Sequence, residues 1–229
     1  MNQTASFDFE QARFNMIEQQ IRPWEVLDQD ILDTLMVVRR EEFVPGKYQA
    51  IALSDTEVPL IVDGVPTGET MFTPKVEARL LQALDAQRHE SVIEVGAGSG
   101  YMAALLARRA DRVLSLERHP GLVAFAQANI ARAGLLNCEV IARDGASLLT
   151  DESVQADVIL LSGSVSFIPD ALIARLKPGG RLAAISGDSP VMSACLVRVG
   201  PRREISRETL FETYAKPLVG FPRRDAFRF

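Results

Sequence analysis

Three glycines alternate with small residues in segment 94–101, which reads Glu-Val-Gly-Ala-Gly-Ser-Gly-Tyr. Glycine lets the backbone approach a ligand closely and adopts positive φ at little steric cost. The segment follows the apolar stretch 92–95, and open α/β sheets bind ligands where such strands end. An ordinary tight turn is the alternative interpretation, which the acidic residue and the alternating glycines disfavour. The predicted binding residues of this loop are Glu94, Gly96, Ala97, Gly98, Ser99, Gly100 and Tyr101.

Two further acidic residues stand where the next two predicted strands end. Glu117 lies 23 residues after Glu94, and a carboxylate there can accept hydrogen bonds from both ribose hydroxyls of a nucleoside. Asp144 can accept one from an adenine amino group. An exposed loop charge explains Glu117 taken alone, and an Asp-Gly turn explains Asp144. Acidic or glycine-rich residues after three consecutive strands favour an adenosine site over these separate explanations. The neighbouring residues predicted to belong to the same site are Arg118, Gly145 and Ala146.

Two classes of nucleotide-dependent enzyme use such a loop. Nicotinamide-dependent dehydrogenases carry the pattern G-x-G-x-x-G, in which a helix N-terminus meets a pyrophosphate. Here the pattern is G-x-G-x-G, and Tyr101 occupies the place of the third glycine. The carboxylate of Glu94, just before the loop, also suits a cationic amino-acid cofactor better than a diphosphate. The residues therefore favour a methyltransferase that uses S-adenosylmethionine over a dehydrogenase.

Alternating strand and helix patterns place these residues in an α/β fold. Such alternation predicts a mostly parallel, doubly wound sheet, the Rossmann-like class I methyltransferase fold. After residue 187 the pattern changes to strands alone, 192–199 and 205–214, which predicts a terminal antiparallel hairpin. The strands before it are predicted at 92–95, 112–116, 139–142, 157–161 and 181–185, and the helices at 102–109, 122–133 and 169–176.

The region before the glycine loop is predicted to form an extension made mainly of helices and loops. Apolar spacing predicts a helix over 8–22, and a second helix begins after an aspartate cap at Asp28 or Asp30. A third helix is predicted to begin at Thr73-Pro74, with a hydroxyl N-cap and proline at the first position. The expected division is an N-terminal helical and loop extension, 1–73, and an S-adenosylmethionine-binding methyltransferase domain, 74–229.

Composition excludes several other classes of protein. A net charge of -5 argues against nucleic-acid partners, which require a basic surface. Residues 1–11 lack an apolar signal segment, and the chain has no apolar run of about 18 residues, so a cytoplasmic protein without membrane association is expected. Cys138, Cys195, His89 and His119 show no metal-ligand spacing, so no metal site is expected. The sequence leaves the oligomeric state open.

Several segments together resemble the protein-L-isoaspartate O-methyltransferases, a family that repairs damaged proteins by methylating isoaspartyl carboxylates. The resemblance covers nearly all of residues 14–186. Segment 30–45 contains Arg-Arg-Glu-Glu-Phe-Val-Pro, and segment 68–74 reads Gly-Glu-Thr-Met-Phe-Thr-Pro. These two segments point to this family, whereas the glycine loop and the Leu-Lys-Pro-Gly-Gly-Arg-Leu segment at 176–182 are shared by many methyltransferases.

The resemblance also assigns the residues around the expected acceptor site. It places Thr70 and Met71 at the cofactor, and it places Phe72 where the family has a serine that handles the substrate carboxylate. Lys75 replaces the usual histidine. Thr73 can supply a hydroxyl in place of the missing serine, and it is equally explained as a helix N-cap. Phenylalanine offers no hydrogen bond, so weak or absent activity on isoaspartyl peptides is predicted.

Three functions follow from this combination. The first is methyl transfer to a carboxylate of isoaspartyl protein or peptide, and the second is a methyltransferase of the same descent with another acceptor, including a small molecule. The third is a protein that binds S-adenosylmethionine without catalysis. Phe72 favours the last two, and the N-terminal segments favour the first. A carboxylate acceptor is ionised at neutral pH and requires no general base.

Overall fold

The computed structural model describes residues 7–224; residues 1–6 and 225–229, at the ends of the two predicted domains, lie outside the described residues. In that range the α-helices are α1 (Phe9–Met16), α2 (Gln29–Val37), α3 (Pro74–Leu84), α4 (Tyr101–Ala107), α5 (Pro120–Arg132) and α6 (Asp170–Ile173). The strands are β1 (Val58–Val62), β2 (Val65–Met71), β3 (Ser91–Val95), β4 (Arg112–Glu117), β5 (Cys138–Ala142), β6 (Ala156–Val165), β7 (Leu176–Asp188), β8 (Val191–Val199) and β9 (Ile205–Glu212).

The central sheet has the order β5-β4-β3-β6-β7-β8-β9 within the described part of the chain. Neighbouring strands from β5 to β7 are parallel, and β7, β8 and β9 pair antiparallel. Strand order reverses direction between β3 and β6, and such a switch point is where open α/β sheets bind ligands. The predicted Rossmann-like fold with a terminal antiparallel hairpin is confirmed.

Sheet pairing also decides the bounds of some elements. The predicted helix over 169–176 is confined to α6, because Leu176 already pairs with Ala156 at the start of β7. The predicted first helix is α-helical only to Met16 and continues through the π-helical turn Ile17–Ile21. The Asp28 side chain caps α2 by accepting hydrogen bonds from two backbone N–H groups, as predicted.

Alternating strand residues divide the interior into two apolar clusters, one on each face of the sheet. Val92 of β3 belongs to the cluster that contains α2, α3, α4 and α5, whereas Ile93 belongs to the other. The second face is covered by α6, by the 3-10 turn Gly145–Leu149 and by Phe221. Because helix α2 shares the first cluster with α3 and α4, apolar packing continues across residue 73.

Every helix in the described range is too short or too polar to cross a lipid bilayer.

The buried side chain of Arg40 joins the N-terminal extension to helix α3 and to the segment that follows β2. Arg40 is 0% exposed, and its Nε lies 2.8 Å from Oε2 of Glu77 on α3. Its terminal nitrogens donate to the backbone carbonyls of Ala52 and Phe72, and its guanidinium lies 5.6 Å from the ring centroid of Tyr101. Since a buried cation requires partners, this one side chain fixes several segments at once.

Candidate functional site

A cavity of about 380 Å³ opens at the carboxyl-terminal side of the parallel strands. Four neighbouring strands contribute to its wall, through Gly96 after β3, Glu117 of β4, Asp144 after β5 and Ser162 of β6. It therefore lies at the switch point between β3 and β6. The volume falls within the range of small-molecule and cofactor sites.

The glycine loop requires glycine for two different reasons. Gly96, Gly98 and Gly100 all have positive φ, at 92°, 53° and 82°. A Cβ on Gly98 would lie 3.2 Å from Cδ1 of Leu60, and one on Gly100 would lie 3.3 Å from backbone atoms of Ala126 in α5. Gly96 and Gly98 line the cavity, whereas Gly100 is the N-cap of α4 and lets α5 pack closely. Two of the predicted glycines thus face the cavity, and the third allows close helix packing.

Glu117 is held rigidly at the cavity wall. One carboxylate oxygen accepts a hydrogen bond from the N–H of Gly98 at 3.0 Å, and the other accepts one from the N–H of His119 at 2.8 Å. The residue is only 7% exposed and lines the cavity. Each carboxylate oxygen can accept a further hydrogen bond, so Glu117 can still bind the hydroxyls of a ribose.

Asp144 and Gly145 form the wall beyond β5. Asp144 accepts a hydrogen bond from the N–H of Ala146 at 2.9 Å and so begins the turn Gly145–Leu149. A Cβ on Gly145 would lie 2.1 Å from Cγ1 of Val95, so the wall cannot accommodate a larger residue there. The N–H of Ala146 is thus engaged by Asp144, and Ala146 does not line the cavity. Arg118 does line it.

Glu94 differs from the other two carboxylates because it is completely buried. Its oxygens accept hydrogen bonds from the hydroxyls of Ser115 at 2.6 Å and Ser162 at 2.7 Å. Burial raises the pKa of Glu94 to about 7, although both serine contacts oppose that change. No motif pointed to these serines, because each lies on a different strand from Glu94 and carries no local signal.

The remaining predicted residues divide between a second cavity and the surrounding structure. A cavity of about 30 Å³ shares Gly96, Gly98, Thr70 and Phe72 with the larger one. Predicted residues that line only this smaller cavity are Met71, Glu94, Ala97, Ser99 and Tyr101. Those that line neither cavity are Thr73, Gly100 and Ala146.

The end of β2 forms the other side of the large cavity. Thr70 donates its hydroxyl to Glu57 at 2.9 Å, and both residues line the cavity. Phe72 is 9% exposed and presents an apolar wall to both cavities. Thr73 is the N-cap residue of α3, as predicted, but its side chain makes no capping bond. Its buried hydroxyl has no hydrogen-bond partner within residues 7–224.

A C-terminal segment, 215–221, crosses the cavity. Its backbone pairs with Ser164 of β6, whose N–H donates to the carbonyl of Lys216 and whose carbonyl accepts from the N–H of Leu218, both at 2.8 Å. Ala215, Lys216, Leu218 and Phe221 line the cavity. Sequence analysis missed this segment because it is irregular and shows no periodic pattern.

Comparison with known proteins identifies the family. The model of the family described as Protein-L-isoaspartate(D-aspartate) O-methyltransferase matches residues 11–198. The chain belongs to this family. Two relatives named protein-L-isoaspartate O-methyltransferase agree with the assignment. The one from Koribacter versatilis is 35% identical and covers 91% of this chain and 90% of its own. The one from Methylorubrum populi is 36% identical and covers 86% and 90%.

Solved structures of the family confirm the fold. A Plasmodium falciparum crystal structure assigned to protein-L-isoaspartate O-methyltransferase, in complex with S-adenosyl-L-homocysteine, superposes with a TM-score of 0.72. It is 22% identical and covers 93% of this chain and 99% of its own. The family model and the curated relatives confirm the resemblance drawn from segments 30–45 and 68–74. The C-terminal segment 215–221 lies beyond the residues that the family model matches.

Proposed function

We propose that this protein transfers a methyl group from S-adenosylmethionine to the free carboxylate of isoaspartyl residues in proteins and peptides. Family membership over residues 11–198 supports this function. The observation that carries it is the cavity at the switch point, where the glycine loop, Glu117 and Asp144 converge. Open α/β sheets bind nucleotide cofactors with such groups at the carboxyl ends of adjacent strands.

The residues present fit S-adenosylmethionine. Glu117 would accept the ribose hydroxyls, and Asp144 would accept the adenine amino group. At Gly96 and Gly145 the cavity wall consists of backbone alone. A Cβ would contact Ser162 at the first position and Val95 at the second. Five other predicted cofactor residues line only the smaller cavity, and they are Met71, Glu94, Ala97, Ser99 and Tyr101. Glu94 is completely buried and lines only the smaller cavity, so it would support the cationic amino-acid end of the cofactor by positioning the loop.

We propose that the predicted division of the chain also divides its functions. Residues before 74 supply one side of the cavity, including Glu57, Leu60, Thr70 and Phe72. Residues after 74 supply the glycine loop and the carboxylates that would hold the cofactor. We therefore propose that the extension 1–73 supplies most of the acceptor side together with the predicted cofactor residues Thr70 and Met71, whereas the domain 74–229 supplies the other cofactor residues.

Methyl transfer to a carboxylate demands little acid–base chemistry from the chain. The cofactor, when bound, supplies a methyl group that its sulfonium already activates. A carboxylate acceptor has an ordinary pKa near 4, so it is ionised at neutral pH and needs no base. The chain aligns the two reactants and excludes water. Phe72, Leu60 and Leu218 form apolar parts of the wall and would perform the second task.

The two alternative functions are less well supported. A different acceptor, or cofactor binding without catalysis, rests on Phe72 in place of the family serine. The Koribacter versatilis relative, which carries the isoaspartyl name, is 35% identical over 91% of this chain, and this favours the isoaspartyl acceptor. A cytoplasmic location and the lack of nucleic-acid partners stay predictions from composition.

The deciding experiment is transfer of labelled methyl from S-adenosylmethionine to an isoaspartyl peptide, with the aspartyl isomer as control. We expect label in the isoaspartyl peptide alone. Binding of S-adenosylhomocysteine without any transfer would contradict the isoaspartyl acceptor and favour the two alternatives, another acceptor or binding without catalysis. Binding of a nicotinamide dinucleotide in place of S-adenosylhomocysteine would overturn the assignment altogether.

A further inference from the structure

Lys216 places a cationic side chain at the cavity. The sequence has four lysines. Lys75 and Lys177 each lie 2.7 Å from an aspartate oxygen, and Lys47 lies over a tyrosine ring. Lys216 instead donates to the backbone carbonyl of Gly68, and no carboxylate in residues 7–224 forms an ion pair with it. The ammonium group of Lys216 is therefore paired only with the dipole of a neutral carbonyl.

The position of Lys216 is on the acceptor side of the cavity. Gly68 lies in β2, two residues before Thr70 and four before Phe72, which form that wall. The other cationic side chains of the cavity, Arg118 and Arg143, lie next to Glu117 and Asp144 in sequence, on the adenosine side. Backbone pairing with Ser164 holds residue 216 in place, so its side chain starts from a fixed point.

Other charges on the acceptor side disfavour an anionic substrate. Glu57 and Glu69 both line the cavity near the end of β2. An incoming carboxylate would be repelled by both side chains, and Phe72 offers it no hydrogen bond. An acceptor site for a carboxylate therefore needs a cation, and Lys216 is the lysine that the fold places there.

We propose that Lys216 binds the free carboxylate of the isoaspartyl acceptor and so replaces the hydroxyl that Phe72 lacks. The inference rests on the isoaspartyl activity proposed above. A charge-assisted hydrogen bond to a carboxylate is stronger than one to a neutral carbonyl, so Lys216 would exchange the Gly68 contact for the substrate. Methylation removes the acceptor's charge, and the ester product loses this attraction. Lys216 thus distinguishes substrate from product.

The test compares Lys216→Met and Lys216→Arg with the wild-type protein, and Lys47→Met serves as a control at an exposed lysine outside the cavity. Peptide binding is measured on protein loaded with S-adenosylhomocysteine, so it does not depend on turnover. The two probes are an isoaspartyl peptide and the same peptide with the free carboxylate converted to a carboxamide. We expect Lys216→Met to weaken binding of the carboxylate peptide about tenfold and to leave carboxamide binding unchanged. Lys216→Arg should retain most of the affinity.

Three results would overturn the inference. Equal weakening for both peptides would show that the lysine acts without recognising charge. A matching loss of S-adenosylhomocysteine affinity would show that it only clamps segment 215–221 to Gly68. Unchanged binding in Lys216→Met would remove it from the acceptor site. A wild-type protein that binds the carboxylate peptide through Lys216 and transfers no methyl group would contradict the proposed function and uphold the binding role.

Discussion

The carboxylate of Glu117 accepts a hydrogen bond from the backbone N–H of Gly98, with 3.0 Å between oxygen and nitrogen. The contact joins the end of β4 to the loop after β3. The residue proposed to hold the ribose therefore also fixes the loop beside it. Because the two functions share one side chain, a change at Glu117 affects both.

Glu117→Ala is expected to weaken S-adenosylhomocysteine binding by about 1.5–3 kcal/mol, the range for a lost hydrogen bond to a charged group. Isothermal titration calorimetry measures the change. Glu139→Ala, an exposed glutamate on β5, is the matched control and should bind normally. Normal affinity in Glu117→Ala would remove the ribose role from this residue.

Gly98→Val is expected to abolish detectable cofactor binding while the chain stays folded. Gly98 has a φ of 53°, and its new side chain would meet Leu60 at the cavity wall. The backbone strain should cost about 1–2 kcal/mol of stability. Gly134→Val has a similar φ of 66° and open space around it, so it should lose stability and keep its affinity. If both variants bind equally well, the loop is only a turn.

Phe72→Ser is expected to raise kcat/KM for an isoaspartyl peptide about two- to tenfold over Phe72→Ala, because only serine restores a hydrogen bond. The alanine variant corrects for the space that the ring vacates. Thr73→Val should leave turnover unchanged, since the Thr73 hydroxyl is buried and lines neither cavity. Steady-state kinetics separate these cases, and a large loss in Thr73→Val would place the acceptor contact at residue 73.

Arg40→Met is expected to lower the free energy of unfolding by about 3–5 kcal/mol, because it leaves the buried carboxylate of Glu77 without its cation. Urea unfolding measures this loss. The double variant Arg40→Met/Glu77→Leu should recover part of it by removing the unpaired acid. Arg198→Met breaks an exposed ion pair with Glu208 and should change stability by less than about 1 kcal/mol. Equal losses for the two single variants would contradict a structural role for the buried pair.

The raised pKa of Glu94 predicts how the free energy of unfolding depends on pH. Burial raises the pKa of Glu94 from 4.5 to about 7, so the folded state keeps a proton that the unfolded chain releases. The stabilisation is complete below about pH 4.5, decreases as pH rises to about 7 and is constant above that value. Between pH 5 and pH 8 the wild-type protein should lose about 2–3 kcal/mol relative to Glu94→Gln.

Chemical denaturation of the unliganded protein at several pH values measures that difference. The variant isolates Glu94 from Glu77, whose pKa is also raised to about 7 by burial. Glu139→Gln, at an exposed position, should follow the wild-type curve. Parallel curves for the wild-type protein and Glu94→Gln would show that Glu94 does not titrate in this range.

Local patterns in the sequence determined the alternating elements, the glycine loop and the carboxylates at the ends of three strands. Apolar periodicity and glycine spacing act over a few residues, and parallel strands bring their carboxyl ends together. The sequence therefore predicted both the fold and the wall formed by Gly98, Glu117 and Asp144. Segments 30–45 and 68–74 were sufficient to indicate the family.

Only the tertiary structure decided which partners these residues have. Glu94 is enclosed by Ser115 and Ser162, 21 and 68 residues later in the chain. Lys216 contacts Gly68 across 148 residues, and its segment has no periodic pattern that would place it at a cavity. Such contacts arise because packing joins distant segments through single side chains, and single side chains leave no repeating signal in a sequence.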